Sequence, residues 1–247
     1  MTRRRWIADD FSDDRAALTG AHAAHLSRTL RARVGQEFQV ACGDRVRNAT
    51  VASVSDNRVE FALGEEVTAS VVVPITLLLA IFKFDRMEWA IEKCTELNVH
   101  MIIPVLARRT EKHLALASKK RLERWQRIAR EAAEQSRRAA PPEISQPVKL
   151  ADALRCDADL RVVLAENECE TTLAEALRAR GDSTSLAIAV GPEGGWTADE
   201  LQSFEQTQWI AASLGETILR SETAAIAALA IARSETARVP PAAAFDL

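Results

Sequence analysis

Leu186-Ala187-Ile188-Ala189-Val190-Gly191-Pro192-Glu193-Gly194-Gly195-Trp196-Thr197-Ala198-Asp199-Glu200 joins three local signals in one run. Its first five residues are continuously apolar, as a strand covered on both faces requires. Its last four match a capping box, in which the threonine hydroxyl and the glutamate carboxylate satisfy orphan N–H groups of a first helical turn. The three glycines between them sit at the carboxyl end of a strand and allow a ligand to approach the backbone closely.

The arrangement recurs one element later. Trp209-Ile210-Ala211-Ala212-Ser213 is strand-like, Leu214-Gly215-Glu216-Thr217-Ile218-Leu219-Arg220 follows as a loop, and Ser221 can cap a helix beginning near Glu222. Two glycine loops then flank one crevice outside the carboxyl ends of parallel strands, where open α/β sheets bind ligands. Upstream, the spacing predicts strands at 75–82, 100–105 and 160–164 and helices at 87–97 and 118–138. Such alternation implies a parallel sheet covered by helices.

A boundary falls between Glu65 and Pro74. Before it, one short helix around Ala24–Arg31 precedes alternating runs from Phe38 to Leu63, broken at Gly43-Asp44 and Asp56-Asn57, which predicts a small β-barrel. The expected domains are therefore residues 1–70 and 74–247.

At 247 residues and 47% hydrophobic content the chain is globular. No apolar run approaches the ~20 residues of a membrane span, and no signal-peptide core follows the first residues, so a cytoplasmic protein without membrane contact is expected. Cys42, Cys94, Cys156 and Cys169 are scattered without a Cys-x-x-Cys pair, which argues against zinc and against a disulfide framework. No metal is expected. Residues 108–138 hold eleven Lys or Arg against four Glu, a local +7 in a chain of net charge −3. Such a segment attracts phosphates, the alternative being a solvated helix face. On its helix Leu122, Trp125, Ile128, Ala129, Ala132 and Ala133 form one stripe, leaving Lys120, Arg121, Arg124 and Arg127 mostly off it.

The two loop motifs resemble those of the RsmE-type methyltransferases of the SPOUT superfamily. Other segments extend the resemblance. Lys93-Cys94-Thr95-Glu96-Leu97-Asn98-Val99 is similar to a Lys-x-x-Glu-Leu-Gly-Val segment, Ile103-Pro104 and Arg109 follow, and Glu134-Gln135-Ser136-Arg137-Arg138 with Pro142-Glu143-Ile144 is similar to Glu-Gln-x-x-Arg…Pro-x-Ile. Arg4-Arg5-Trp6 and His25-Leu26-Ser27-Arg28-Thr29-Leu30-Arg31 resemble the family's RNA-binding start, and the arginines there cluster without neighbouring acids. Asn98 departs from the family's glycine but tolerates a left-handed helix end. Thr217 stands where many relatives have arginine. Lys93 and Glu96 by themselves read as a surface ion pair, and His25 by itself reads as structural.

The resemblance implies a SPOUT-type α/β domain with a deep trefoil knot, preceded by a PUA-like β-barrel. It implies S-adenosylmethionine as cofactor, 16S ribosomal RNA as partner, within an assembled or nearly assembled small subunit, and methylation of a uridine N3 by a homodimer. Cofactor contacts are expected at Leu164, Gly191, Pro192, Glu193, Gly194, Leu214, Gly215, Ile218 and Leu219. RNA contacts are expected at Arg4, His25, Arg28, Arg31, Arg109, Lys120, Arg124, Arg127 and Arg138.

Uracil N3 holds its proton at neutral pH, so a cation must stabilise the anion or a carboxylate must accept the proton. Arg220 is expected as anion stabiliser and Glu222 as orienting group or base, the alternative being a local ion pair between them. The helix from Glu222 to Ser234 is almost all Ala, Ile and Leu, so burial on most sides is expected, in a dimer or within one subunit. Three rival readings carry less. A non-catalytic RNA-binding assembly factor leaves two glycine loops without a purpose. A dehydrogenase lacks Gly-x-Gly-x-x-Gly near Phe82. A related enzyme acting on transfer RNA ribose is the nearest competitor.

Overall fold

A computed structural model describes residues 5–43, 45–67, 72–136, 138–166, 170–179, 181 and 183–236. Arg4 and Cys169 lie outside these residues; Cys42, Cys94 and Cys156 are free thiols. The chain forms two compact units, Met1–Ser70 with Arg130–Pro141, and Val71–Ala129 with Pro142–Leu247.

The first unit holds β1 (Arg5–Ile7), β2 (Asp10–Phe11), β3 (Arg15–Thr19), α1 (Gly20–Ala24), a π-turn at His25–Thr29, then β4 (Glu37–Cys42), β5 (Arg45–Val54) and β6 (Arg58–Glu66). Its sheet runs β1-β4-β5-β6-β3-β2. The two edge strands are separated by only Ala8 and Asp9, whose N–H groups donate to Ala41 and Ala17 at 2.9 Å each. One continuous segment thus pairs with both ends of the sheet. Inside lie Trp6, Leu18, Leu26, Val40, Val59 and Phe61, alternating residues whose burial sets the register.

Arg130–Pro141, expected in the second domain, belongs to the first unit. Arg130 donates to Asp9 at 2.6 Å and to the Ile7 carbonyl at 3.2 Å, and Ala133 packs with Ile7, Ala41 and Val46.

In the second unit are β7 (Ile75–Ala80), α2 (Phe84–Glu96), β8 (Met101–Leu106), α3 (Lys112–Ser118), α4 (Leu122–Gln135, its last turns in the first unit), β9 (Glu143–Ile144) and β10 (Val148–Lys149). They are followed by α5 (Leu150–Ala153), β11 (Leu160–Leu164), α6 (Leu173–Arg178), β12 (Leu186–Val190), α7 (Ala198–Gln206), β13 (Ile210–Ala212) and α8 (Ser221–Thr236). The strands pair in parallel in the order β10-β8-β7-β12-β11-β13, with β9 on β8. Both faces are dry. Ile75, Leu77, Leu79, Ile188 and Val190 face one layer with Met87, Trp125 and Leu229. Ala187 and Ala189 face the other, where their small side chains leave room for Trp196, Phe204 and Trp209, stacked edge to face at 5.0 and 5.2 Å.

Three local expectations change. The helix predicted over 118–138 is confined to α4, Leu122–Gln135, because its first residues are the end of α3 and a 3₁₀ turn at Lys119–Arg121; Ser118 Oγ donates to the Ala115 carbonyl at 2.7 Å, a local bond that competes with helix continuation. Ser221 lies inside the first turn of α8, and Arg220 precedes it, its carbonyl accepting the Ala224 N–H at 2.8 Å. Finally, α8 buries Glu222, Ala224, Ala225, Ala228, Leu229 and Ala232, but Thr223 and Ala230 are exposed and Ile226, Ala227 and Ile231 partly so. One stripe of this apolar helix is uncovered in the single chain. Among the described residues no helix is long and apolar enough to cross a membrane.

Candidate active site

Because every strand of the second sheet points the same way, the segments leaving β11, β12 and β13 emerge at one edge. They wall a cavity of about 680 Å³, together with Arg86 from the first turn of α2 and Arg109 from the loop after β8. The position is the crevice at the carboxyl ends of parallel strands, where the strand order doubles back between β7 and β11.

The β12 loop is held as its sequence predicts. Thr197 Oγ1 accepts the Glu200 N–H at 3.3 Å, and Glu200 accepts the Thr197 N–H at 2.9 Å. Gly195 has φ +67 and Gly215 φ +117, backbone that residues with a Cβ rarely adopt. A Cβ on Gly215 would meet nothing within 4 Å, so backbone there faces open space.

Of the residues expected to contact a cofactor, Leu164, Gly191, Pro192, Glu193, Leu214, Gly215, Ile218 and Leu219 line the cavity. Gly194 does not. It turns toward Arg109, whose Cδ would stand 3.2 Å from an added Cβ and whose guanidinium donates to the Gly194 carbonyl. Arg220 is exposed on the wall and has no ion-pair partner among the described residues.

Glu222 departs from expectation in two ways. It is off the wall and 5% exposed, and its partner is Arg86 rather than Arg220, with Oε1 3.7 Å from Nε. Among the described residues no local Arg220–Glu222 ion pair forms. Arg86, Glu166, Trp196 and Glu216 also line the cavity and were missed. For Arg86 a signal existed: a cation in a helix's first turn opposes the macrodipole and calls for an explanation.

The predicted RNA contacts divide between the units. In the first, His25 lies against Trp6 with ring centroids 6.0 Å apart, and Arg31 has φ +51. Arg138 is half-buried at the end of the α4 segment. The expectation that the first unit's arginines lack acidic neighbours fails at Arg28, which donates to Asp56 at 2.9 Å because the β5–β6 turn brings that residue close. In the second unit Arg109 reaches the cavity, Lys120 is exposed, and Arg124 holds Glu88 through two 2.7 Å bonds. Arg127 is exposed but not unpartnered. Lys93 pairs with Glu96 at 2.8 Å and with Glu92 at 2.7 Å, as a surface ion pair would. Asn98 adopts φ +62 at the end of α2.

A parallel α/β sheet with glycine loops walling a cavity at its carboxyl edge defines a small-molecule-binding α/β enzyme domain, and residues 69–233 match the RNA methyltransferase domain family. The chain is 32% identical to ribosomal RNA small subunit methyltransferase E of Bacillus subtilis, over 84% of this chain and 85% of that protein. It is also 32% identical to the Rickettsia conorii protein of the same name, over 83% and 84%. The crystal structure of the Neisseria gonorrhoeae protein bound to S-adenosyl methionine superimposes with a TM-score of 0.82 at 30% identity, covering 94% of this chain and 97% of that one. The chain belongs to the RsmE family of ribosomal RNA small subunit methyltransferases.

Proposed function

We propose that this protein transfers the methyl group of S-adenosylmethionine to N3 of a uridine in 16S ribosomal RNA. The observation that carries the reading is the cavity walled by the β12 and β13 loops, in a chain whose relative binds that cofactor. The residues fit such a ligand. The volume lies in the range of small-molecule sites, Gly215 leaves backbone approachable, apolar Leu164, Leu214 and Leu219 offer a surface for a nucleoside, and Glu166, Glu193 and Glu216 offer carboxylates to a cationic ligand.

Leu164, Gly191, Pro192, Glu193, Leu214, Gly215, Ile218 and Leu219 would hold the cofactor, which when bound supplies an activated sulfonium methyl. The chain's own task is to make N3 of the base nucleophilic. Arg220, a guanidinium just before α8 with no ion-pair partner among the described residues, stabilises the negative charge that develops as the N3 proton leaves, assisted by the positive end of that helix. Arg108, Arg109, Lys119 and Lys120 are exposed cations of the same unit, consistent with an RNA substrate.

In the first unit the π-turn at His25–Thr29 and the left-handed Arg31 are irregularities of the kind found at functional sites. We assign RNA contacts to His25, Arg28 and Arg31 on that support. A PUA-like barrel is supported by the sheet whose two edges share one segment. A trefoil knot is supported by the insertion of β12 between β7 and β11. A homodimer is supported by the uncovered stripe at Thr223, Ile226, Ala227 and Ala230. The assembled small subunit is the proposed substrate and the cytoplasm the proposed compartment.

The test is nucleoside mass spectrometry of small-subunit RNA from a strain lacking the gene. Loss of 3-methyluridine, restored by the wild-type gene but not by an Arg220→Ala copy, is expected. An unchanged nucleoside profile, or loss of a ribose methylation, would refute it.

A further inference from the structure

Glu222 is a buried carboxylate just off the cavity wall. One oxygen lies 3.7 Å from Arg86 Nε, and the other is buried without a hydrogen-bond partner among the described residues. A lone charge so placed is costly unless a cation answers it. Arg86 supplies that cation and is itself displaced from where electrostatics alone would put it, since it stands in the first turn of α2 against the helix's positive end. Its only ion-pair partner among the described residues is Glu222, and it makes no hydrogen bond among them. Its guanidinium therefore keeps its N–H donors for the cavity, whose wall it forms. Glu222 stands behind it, off the wall.

We propose that Arg86 is a second cationic contact for the RNA base at this cavity, and that Glu222 is a positioning residue holding it there rather than the base. The inference rests on the methyltransferase reading. Arg220 precedes α8, and Glu222, two residues on, binds Arg86, so one helix start organises both cations. A uracil that loses its N3 proton spreads the charge onto two carbonyl oxygens flanking that nitrogen. Two guanidinium groups suit two acceptors, and each planar fork can donate two parallel bonds. The N3 proton does not pass to Glu222, which is held by Arg86, and leaves instead to water or to a carboxylate of the wall, Glu166, Glu193 or Glu216.

The experiment compares single-turnover methyl transfer from labelled S-adenosylmethionine to 16S RNA for wild type, Arg86→Ala, Arg86→Lys, Glu222→Gln and the Arg86→Ala/Glu222→Gln double variant. Cofactor affinity is measured by calorimetry and folding by denaturant midpoint. Arg86→Ala should lower the rate constant about 10²-fold with cofactor affinity unchanged, and lysine should restore part of it. Glu222→Gln should cost less, leave the pH profile's shape intact, and add nothing in the double variant. A wild-type rate in Arg86→Ala, multiplicative losses in the double variant, or loss of a titrating limb in Glu222→Gln would overturn the proposal. Lost cofactor affinity in Arg86→Ala would instead make it a contact for the cofactor's carboxylate and also overturn it. Should Arg86→Ala fail to fold, Arg86→Lys and Glu222→Gln decide by the same criteria. A wild-type protein that transfers no methyl group removes the reading itself, and the inference with it.

Discussion

The Glu200 carboxylate accepts the Arg108 N–H at 2.8 Å while also closing the capping box at Thr197, so one buried side chain ties the β8 loop to the start of α7. Both tied segments wall the cavity, through Arg109 and through Gly191, Pro192, Glu193, Gly195 and Trp196. Glu200→Ala should cost about 1–2 kcal/mol of stability, the effect of a lost cap and of a lost part-buried hydrogen bond from Arg108 N–H. It should also weaken S-adenosylmethionine binding. Urea denaturation and calorimetry read the two effects; a destabilised variant with wild-type cofactor affinity would show that the tie does not shape the cavity.

Gly194 affects the site through Arg109. An added Cβ would stand 3.2 Å from Arg109 Cδ, closer than ordinary contact, so Gly194→Val should displace that arginine and weaken cofactor binding. In an Arg109→Ala background most of the additional loss should vanish. Calorimetry of the four proteins tests this, and fully additive losses would place Gly194 against the ligand directly.

The salt dependence of RNA binding should be carried by Lys119 and Lys120 more than by Arg124. Both lysines are exposed, whereas Arg124 is already bound to Glu88 by two 2.7 Å bonds. Reversing Lys119 and Lys120 to Glu should reduce the slope of log affinity against log salt by about 0.7 for each phosphate of single-stranded RNA that is no longer neutralised. Arg124→Glu should affect stability as well as slope. Unaltered slopes in the lysine variant would make that surface merely solvated.

Arg233 is a second long-range tie. It donates to the carbonyls of Val73, Leu97 and Asn98, fixing α8 to the end of α2. Arg233→Met should destabilise the protein by about 1–3 kcal/mol by leaving part-buried carbonyls without their donors. Burial lowers its pKa well below the usual guanidinium range, to about 10. The folded chain therefore binds fewer protons than the unfolded one only from about pH 10 up to the ordinary guanidinium range, so this residue's contribution to stability increases with pH inside that window and is flat below it. Thermal melts of wild type and Arg233→Met should differ by a constant amount between about pH 6 and 9; a gap that changes there would contradict the assignment.

Native thiol chemistry offers a simple check on the core. Cys94 is fully buried in α2, where desolvation pushes its thiol far above the usual range. Iodoacetamide at about pH 8 should leave it unmodified until denaturant is added, as peptide mass spectrometry would record. Rapid native labelling would mean that α2 opens locally.

Much of this is legible from sequence wherever the cause is local. The Thr197–Glu200 cap, the left-handed turn at Asn98 and the strands at 160–164 and 186–190 each depend on a few neighbouring residues. Most of the cavity wall follows for the same reason, since loops after parallel strands must share an edge. What is not legible depends on distant pairing. Nothing near Arg130 announces Asp9 as its partner, and Arg86 and Glu222 are joined only by the packing of α2 on α8. Adjacency in sequence to Arg220 suggests that Glu222 faces the ligand too; helical rotation turns it the other way.

The most direct measurement incubates the purified protein with labelled S-adenosylmethionine and small subunits from a strain lacking the gene, then identifies the labelled nucleoside. Incorporation should approach one methyl group per subunit, all in 3-methyluridine, with Arg220→Ala slowed about 10²–10³-fold. Label in a ribose methyl group, in another base, or in no nucleoside at all would contradict uridine N3 methylation at this cavity.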